Sequence, residues 1–143
     1  MAFTMGLTES DPIAKLTGRA ESAISDYRIL TGGVTTGYLK AAGASSEVPI
    51  AVSLQAKDVL LQASYAAEDV VTAVYGGIAF VEMSGSGNQD NSVVATTGGL
   101  GTKVTYGSSG QWGIGFAMKD WVDGEIIPVM IDRHYIGDTD ASS

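Results

Sequence analysis

From Tyr27 onward the apolar residues of this chain recur at every second position, the period of a strand with one buried face. Val48, Ile50, Val52 and Leu54 share one face, with Pro49, Ala51 and Ser53 on the other. Trp112, Ile114, Phe116 and Met118 form a second stripe opposite Gly113, Gly115 and Ala117, which places Ile114 and Phe116 in the core. Ile127, Val129 and Ile131 form a third. Pro128 faces the other way and has no N–H to give a ladder, so it predicts an edge strand or a bulge. The runs Val70 to Tyr75 and Ile78 to Met83 meet at Gly76-Gly77, a two-residue hairpin signal because primed turns need positive φ.

Between these runs lie turn segments: the polar loop Ser84 to Asn91, then Thr97 to Gly101 and Tyr106 to Gly110. More than half of the 19 glycines fall between Gly76 and Gly115, as expected of short strands and tight turns. Residues 55–67 fit two readings. The spacing of Ala56, Leu60, Ala63 and Ala67 suits a helical face, whereas Val59-Leu60-Leu61 equally suits a strand. The predicted fold is mainly β: a small antiparallel β-barrel or sandwich of short strands, with an N-terminal arm and at most one short helix.

Residues 1–25 have a different pattern. Ile13, Leu16, Ala20 and Ile24 are spaced by three, four and four, which predicts a short amphipathic helix. Ser10 or Asp11 would cap it, with Pro12 at its first position. The expected division is therefore an arm over 1–25, a β-rich domain over 26–137 and a flexible tail over 138–143. Ile13, Leu16 and Ile24 are the arm's expected contacts with a partner or a second copy, together with Trp121.

Composition narrows the function classes. The 143 residues allow one domain. Charged residues make up only 17%, against about a quarter in an average soluble domain, so weakly polar patches are left for contact. Sixteen acids against eight bases give a net charge of −8, and the bases are scattered from Lys15 to Arg133. That field repels a phosphate backbone and an anionic bilayer surface, so neither nucleic acid nor membrane is an expected partner. The absence of cysteine excludes disulfides, thiolate metal sites and a thiol nucleophile, and leaves the fold dependent on its core or on oligomerisation. The first residues lack the charged and long apolar regions of a secretory leader, which predicts synthesis in a cytoplasm.

Candidate chemistry is sparse. The single histidine, His134, lies two residues after Asp132, and a Ser-His-Asp arrangement would need it as the base; a surface histidine beside an acid is the expected role. Asp120, Asp123 and Glu125 form the densest acidic cluster, but the Ca²⁺-loop pattern is missing and Asp123-Gly124 reads as a turn. Gly98-Gly99-Leu100-Gly101-Thr102-Lys103 lacks the Gly-Lys-Ser/Thr of a phosphate loop and leads into a strand, not a helix. The aromatic residues are not interleaved with Lys or Arg. No catalytic, cofactor-binding or metal-ligating residue is expected.

The layout nevertheless has a counterpart. It runs from Gly32-Gly33-Val34 through a strand near Ile50 to an acidic turn at Glu68-Asp69 before Val70-Val71. A Gly-Gly-Ile-Ala strand follows at Gly76 to Ala79, then a glycine-rich run to Val104, the strand Gly113 to Ala117, and Asp123-Gly124-Glu125 before Ile127-Pro128-Val129. Over residues 28–136 this resembles the small capsid decoration (head cement) proteins of tailed bacteriophages. It departs from them in having Ala66-Ala67 rather than a glycine before the acids of the central turn, and in its longer N-terminal segment. The resemblance implies a non-enzymatic virion protein without a cofactor. It would sit on the outer face of the head, bind the major capsid protein, assemble as a homotrimer and stabilise the expanded shell. A different class, a small β-barrel carbohydrate- or ligand-binding module, would instead expose Trp112 and Trp121 as sugar platforms.

Overall fold

The computed structural model describes residues 14–56, 64–105 and 110–137. They form ten strands: β1 (Ala14–Ala20), β2 (Ile29–Gly32), β3 (Tyr38–Ala41), β4 (Ala51–Ser53), β5 (Val70–Gly76), β6 (Ile78–Glu82), β7 (Ser92–Ala95), β8 (Gly101–Lys103), β9 (Gln111–Ala117) and β10 (Ile126–Gly137). A 3₁₀ turn, Thr97–Gly99, lies between β7 and β8. The expectation of a mainly β protein of short strands holds. Most of the ambiguous stretch 55–67 lies outside the described residues.

The first five strands pair in a ring, β1-β3-β2-β4-β5 and back to β1. Every pair is antiparallel except β1 with β3, which is parallel. The exception is a matter of parity: a ring with an odd number of strands cannot alternate direction all the way round. The other five strands form an antiparallel sheet in the order β6-β10-β9-β7-β8.

Two hydrophobic cores follow from this arrangement. Leu30, Leu39, Ala51, Val71, Ala73, Ile24 and Tyr65 fill the ring. Ile29, Val52 and Val74 on the ring's outer side pack against Val81, Val93, Ile114, Ile127 and Val129 of the second sheet. Strand β4 is buried along its whole length, with Ala51 in the ring core and Val52 in the core between the sheets.

The N-terminal helix is not formed within the described residues. Ala14–Ala20 is a strand in register with β5, with Leu16 opposite Ala73 and Gly18 opposite Val71. Leu16 and Ala20 are an even number of residues apart, so they satisfy a strand's alternation as readily as a helical stripe. The long-range pairing with β5 decides between the two. Residues 14–24 thus belong to the ring and not to a separate arm.

The Gly76-Gly77 turn is present, with Gly77 at φ 87°, but it does not make a hairpin. Both edges of β5 are taken, by β1 and β4, so β6 leaves for the second sheet and pairs with β10. Pro128 also differs from expectation, lying in β10 between β6 and β9 rather than at an edge. Its carbonyl accepts from the Met118 N–H (3.1 Å), one residue past the end of β9, so its missing N–H falls where that ladder has already stopped.

The stripe on β9 is broken by a bulge. Val93 faces Gly115 while Val94 faces Gly113, so β9 carries one extra residue and Ile114 joins the buried side. Phe116 lies on the other face, half-buried and stacked on His134 with ring centres 4.7 Å apart. The expectation that Phe116 is core is therefore corrected. Ile114→Ala should cost about 2–5 kcal/mol of stability, the range for truncating a fully buried aliphatic residue. Phe116→Ala should cost well under half of that. Urea unfolding of the two variants checks the order.

Candidate functional site

The outward face of the second sheet is the surface with most to offer a partner. The register sets Ile78 beside Met130, Met130 beside Phe116, and Phe116 beside Ser92, a row crossing four strands. At the usual strand spacing this row is about 14 Å long. A second row runs through Phe80 and Pro128, and a third pairs Glu82 with Ile126. Phe80 is 47% exposed, Met130 44% and Ile126 43%. An antiparallel sheet with one wet face ordinarily carries polar residues there. Contiguous exposed apolar side chains on a small domain mark contact surfaces.

At one end of this face His134 is held on three sides. Its Nδ1 lies 2.6 Å from the Asp132 carbonyl oxygen, which can only accept, so Nδ1 carries the proton. Nε2 is then free to accept from the Ser92 hydroxyl at 3.2 Å, and the ring lies flat on Phe116. Gly113 leaves room for the imidazole, since a Cβ there would overlap it. Asp132 contributes its backbone carbonyl to this cluster, so the Ser-His-Asp arrangement considered from the sequence is not assembled.

The acidic cluster is structural. The Asp123 carboxylate accepts from the Gly85 N–H (2.8 Å) and that of Asp120 from the Gln89 N–H (2.8 Å), tying the polar loop 84–91 to the turn before β10. Glu125 accepts from the Val122 N–H and pairs with Lys119. Among the described residues no group of acids or histidine is arranged to hold a metal ion. The hydrogen bond from Lys119, followed by that from Val122, holds the Glu125 carboxyl below its ordinary range. Across the molecule, the Tyr38 hydroxyl donates to Glu68 (2.7 Å), and that bond raises the tyrosine above its usual value.

The four expected contact residues are not brought together. Trp121 is buried: it exchanges backbone hydrogen bonds with Gly87 (3.0 and 3.2 Å), and the loop lies across its indole where any Cβ on Gly87 would intrude. Ile24 is buried in the ring, bonded in both directions to Tyr65 (2.9 Å each way). Leu16 packs partly buried against the ring core, and Ile13 lies outside the described residues. Neither Trp121 nor Ile24 has a side-chain surface to offer a partner, and Trp121 cannot be a sugar platform. Trp112 is half-buried against Tyr135, with ring centres 5.0 Å apart and planes tilted by 59°.

The residues missed by sequence reasoning are Ile78, Phe80, Phe116, Ile126 and Met130. A signal for them exists. Ile126 to Ile131 and Ile78 to Val81 are apolar at every position, so both faces of these strands are apolar, whereas a strand with one wet face alternates.

No known protein family matches the chain by its sequence pattern, and no curated protein matches it. Among solved structures, the N base of the head fiber protein gp8.5 of bacteriophage phi29 is similar, with a TM-score of 0.63 over 84% of this chain and 94% of that one, at 14% identity. The two share a fold.

Two measurements test the local geometry. The Glu125 carboxyl should titrate below the ordinary range by NMR, and Lys119→Met should move it back up. Because the folded value is the lower one, the pair's stabilisation is full above the ordinary carboxylate range and is lost as pH falls through the lowered value. Gly87→Ala should lift the loop from the indole and shift tryptophan emission to longer wavelength.

Proposed function

We propose that this protein is a structural component of a bacteriophage head. It is carried on the outer face of the shell, bound to the major capsid protein, and stabilises the expanded head as a decoration protein does. In this reading it is not an enzyme. It works as a homo-oligomer, most simply a trimer, made in the host cytoplasm.

One observation carries the reading: the fold shared with the base of a phage head fiber protein, over nearly the whole of both chains. The outward face of the second sheet supports it, because Phe80, Ile126 and Met130 give an acidic protein an apolar surface to set against another protein. The lack of any disulfide adds to this, since a small domain gains from burial between subunits. A symmetric oligomer on a shell axis makes equivalent contacts all round, and several modest contacts on one rigid body raise avidity by about 10²–10⁴.

The test is co-sedimentation with expanded and unexpanded heads of the phage that encodes the protein. The native chain should pellet with expanded heads, and light scattering should show an oligomer. Met130→Glu, which puts a charge in the middle of the apolar face without touching either core, should cut shell binding at least tenfold and leave the circular dichroism unchanged. A chain that stays in the supernatant with both kinds of head overturns the reading.

A further inference from the structure

Where the second sheet meets the ring, an apolar cleft of about 220 Å³ opens between β4, β5 and β6. Val52, Leu54, Val74 and Tyr27 line it. Residues 78–80 of β6 line it as well. Adjacent strand side chains alternate between faces, so three consecutive residues meet the cleft along the strand's edge.

The cleft is held in shape from both sheets. Tyr27 stands at φ 60°, a left-handed conformation that costs a bulky residue and persists only where its surroundings fix it. Its N–H donates to the Ser53 carbonyl of β4 (3.2 Å), and its carbonyl accepts from the Glu82 N–H of β6 (3.0 Å). Its hydroxyl donates to Gln55 (3.1 Å).

The polar groups at the cleft are few and mostly donors. Phe80 faces Pro128, whose carbonyl is turned to Met118 on the far side of β10, so the two form a pair without mutual hydrogen bonds. The N–H and C=O of Phe80 therefore point toward the edge, as do those of Ile78. Among the described residues nothing pairs with these edge groups. They lie about 7 Å apart, and beyond them Tyr27 takes the Glu82 N–H, so the open length is shorter than an ordinary strand and suits a compact ligand.

Lys15 is the one charged residue on the lining. The β1–β5 register sets it opposite Val74, which places its side chain on the same outer side of the ring. Among the described residues its ammonium has no acid partner, whereas Arg28 and Lys119 are paired with Glu82 and Glu125. In a chain of net charge −8, this is a local exception that favours an anion. A cavity of about 150 Å³ admits benzene, so by proportion this one takes a body of about nine carbon atoms.

We infer that the cleft is a binding site for a small apolar monocarboxylate. Its body lies between Val52, Leu54 and Val74, and its carboxylate accepts from Lys15 and an edge N–H of β6. An apolar hollow with a few placed donors is the usual form of a small-molecule site. The inference does not depend on the shell-binding reading.

The test uses the full-length chain with ¹³C-labelled Ile, Leu and Val methyl groups. It is titrated at neutral pH with 3-phenylpropanoate, with nonanoate and with the neutral 3-phenylpropan-1-ol. The methyl signals of Val52, Leu54 and Val74 should move first, and at least one acid should bind about fivefold more tightly than the alcohol. Lys15 is exposed, so Lys15→Met should keep the fold and the alcohol's affinity while erasing the acid's advantage. Binding of only one acid supports the site and tells whether it takes an aliphatic or an aromatic body. Three results overturn the inference. One is the absence of shifts in these methyls at about 10 mM ligand, which would fill a millimolar site; a cleft already covered by the chain's own residues gives this result. The others are acids that bind no more tightly than the alcohol, and an advantage that survives Lys15→Met.

Discussion

Where β4 and β5 pair, at Val52–Val74 and Ser53–Ala73, the sheet is buried on both faces, and the rest of the molecule is arranged around it. Val52 and Val74 stand opposite one another and face the second sheet, while Ala51 and Ala73 turn into the ring. This two-stranded wall therefore has to satisfy two cores at once. Toward the ring it presents Ala51 and Ala73 beside Val71, and the larger residues Leu30, Leu39 and Tyr65 fill most of the remaining space. Toward the second sheet it presents valines that fill a wider gap. Substitution at any of these four buried residues is felt on both sides of the wall, because a close-packed interior transmits strain.

The same wall explains where the chain must turn. With both edges of β5 occupied, the next segment cannot fold back on it, and the left-handed Gly77 redirects the chain into the second sheet. That departure leaves β6 as an edge strand, and it places the outward rows of Ile78, Phe80 and Met130 on the side away from the ring. The proposed shell-facing surface is thus a consequence of one unavailable hydrogen-bonding edge.

Glycine and left-handed backbone work differently in the two halves. In the second sheet, glycines are absences that other groups fill: Gly87 beneath Trp121, Gly113 beside His134, and Gly115 against the Met130 carbonyl. In the first half, the turn before β5 places Glu68, not glycine, at φ 74°. It is held there by bonds at both ends: its N–H donates to the Ala20 carbonyl (2.8 Å), its carbonyl accepts from Arg19 (3.0 Å), and its carboxylate accepts from Tyr38. The chain tolerates the conformational cost because the side chain and both backbone groups are engaged.

The sequence by itself determined that the protein is mainly β, where most of its turns fall, and which residues of β10 are inward. Ile127 and Val129 are buried, and Asp123-Gly124 turns the chain before β10 as its residue types require. These features depend on local chemistry: alternation at period two, and glycines where φ is positive. Only the tertiary structure decided that residues 14–20 are a strand, that Gly76-Gly77 is a corner, that Phe116 lies outside the core, and that Trp121 and Ile24 are buried. Each of those depended on a partner far away in sequence. The β5 edge selects strand over helix for Leu16, and one extra residue in β9 against β7 moves Phe116 to the opposite face from Ile114. A pairing edge or a bulge is a relation between two segments, and no periodicity within one of them contains it. The apolar outward face was half visible, as unbroken apolar runs in β6 and β10. Which of their two faces stays open depends on where the ring packs.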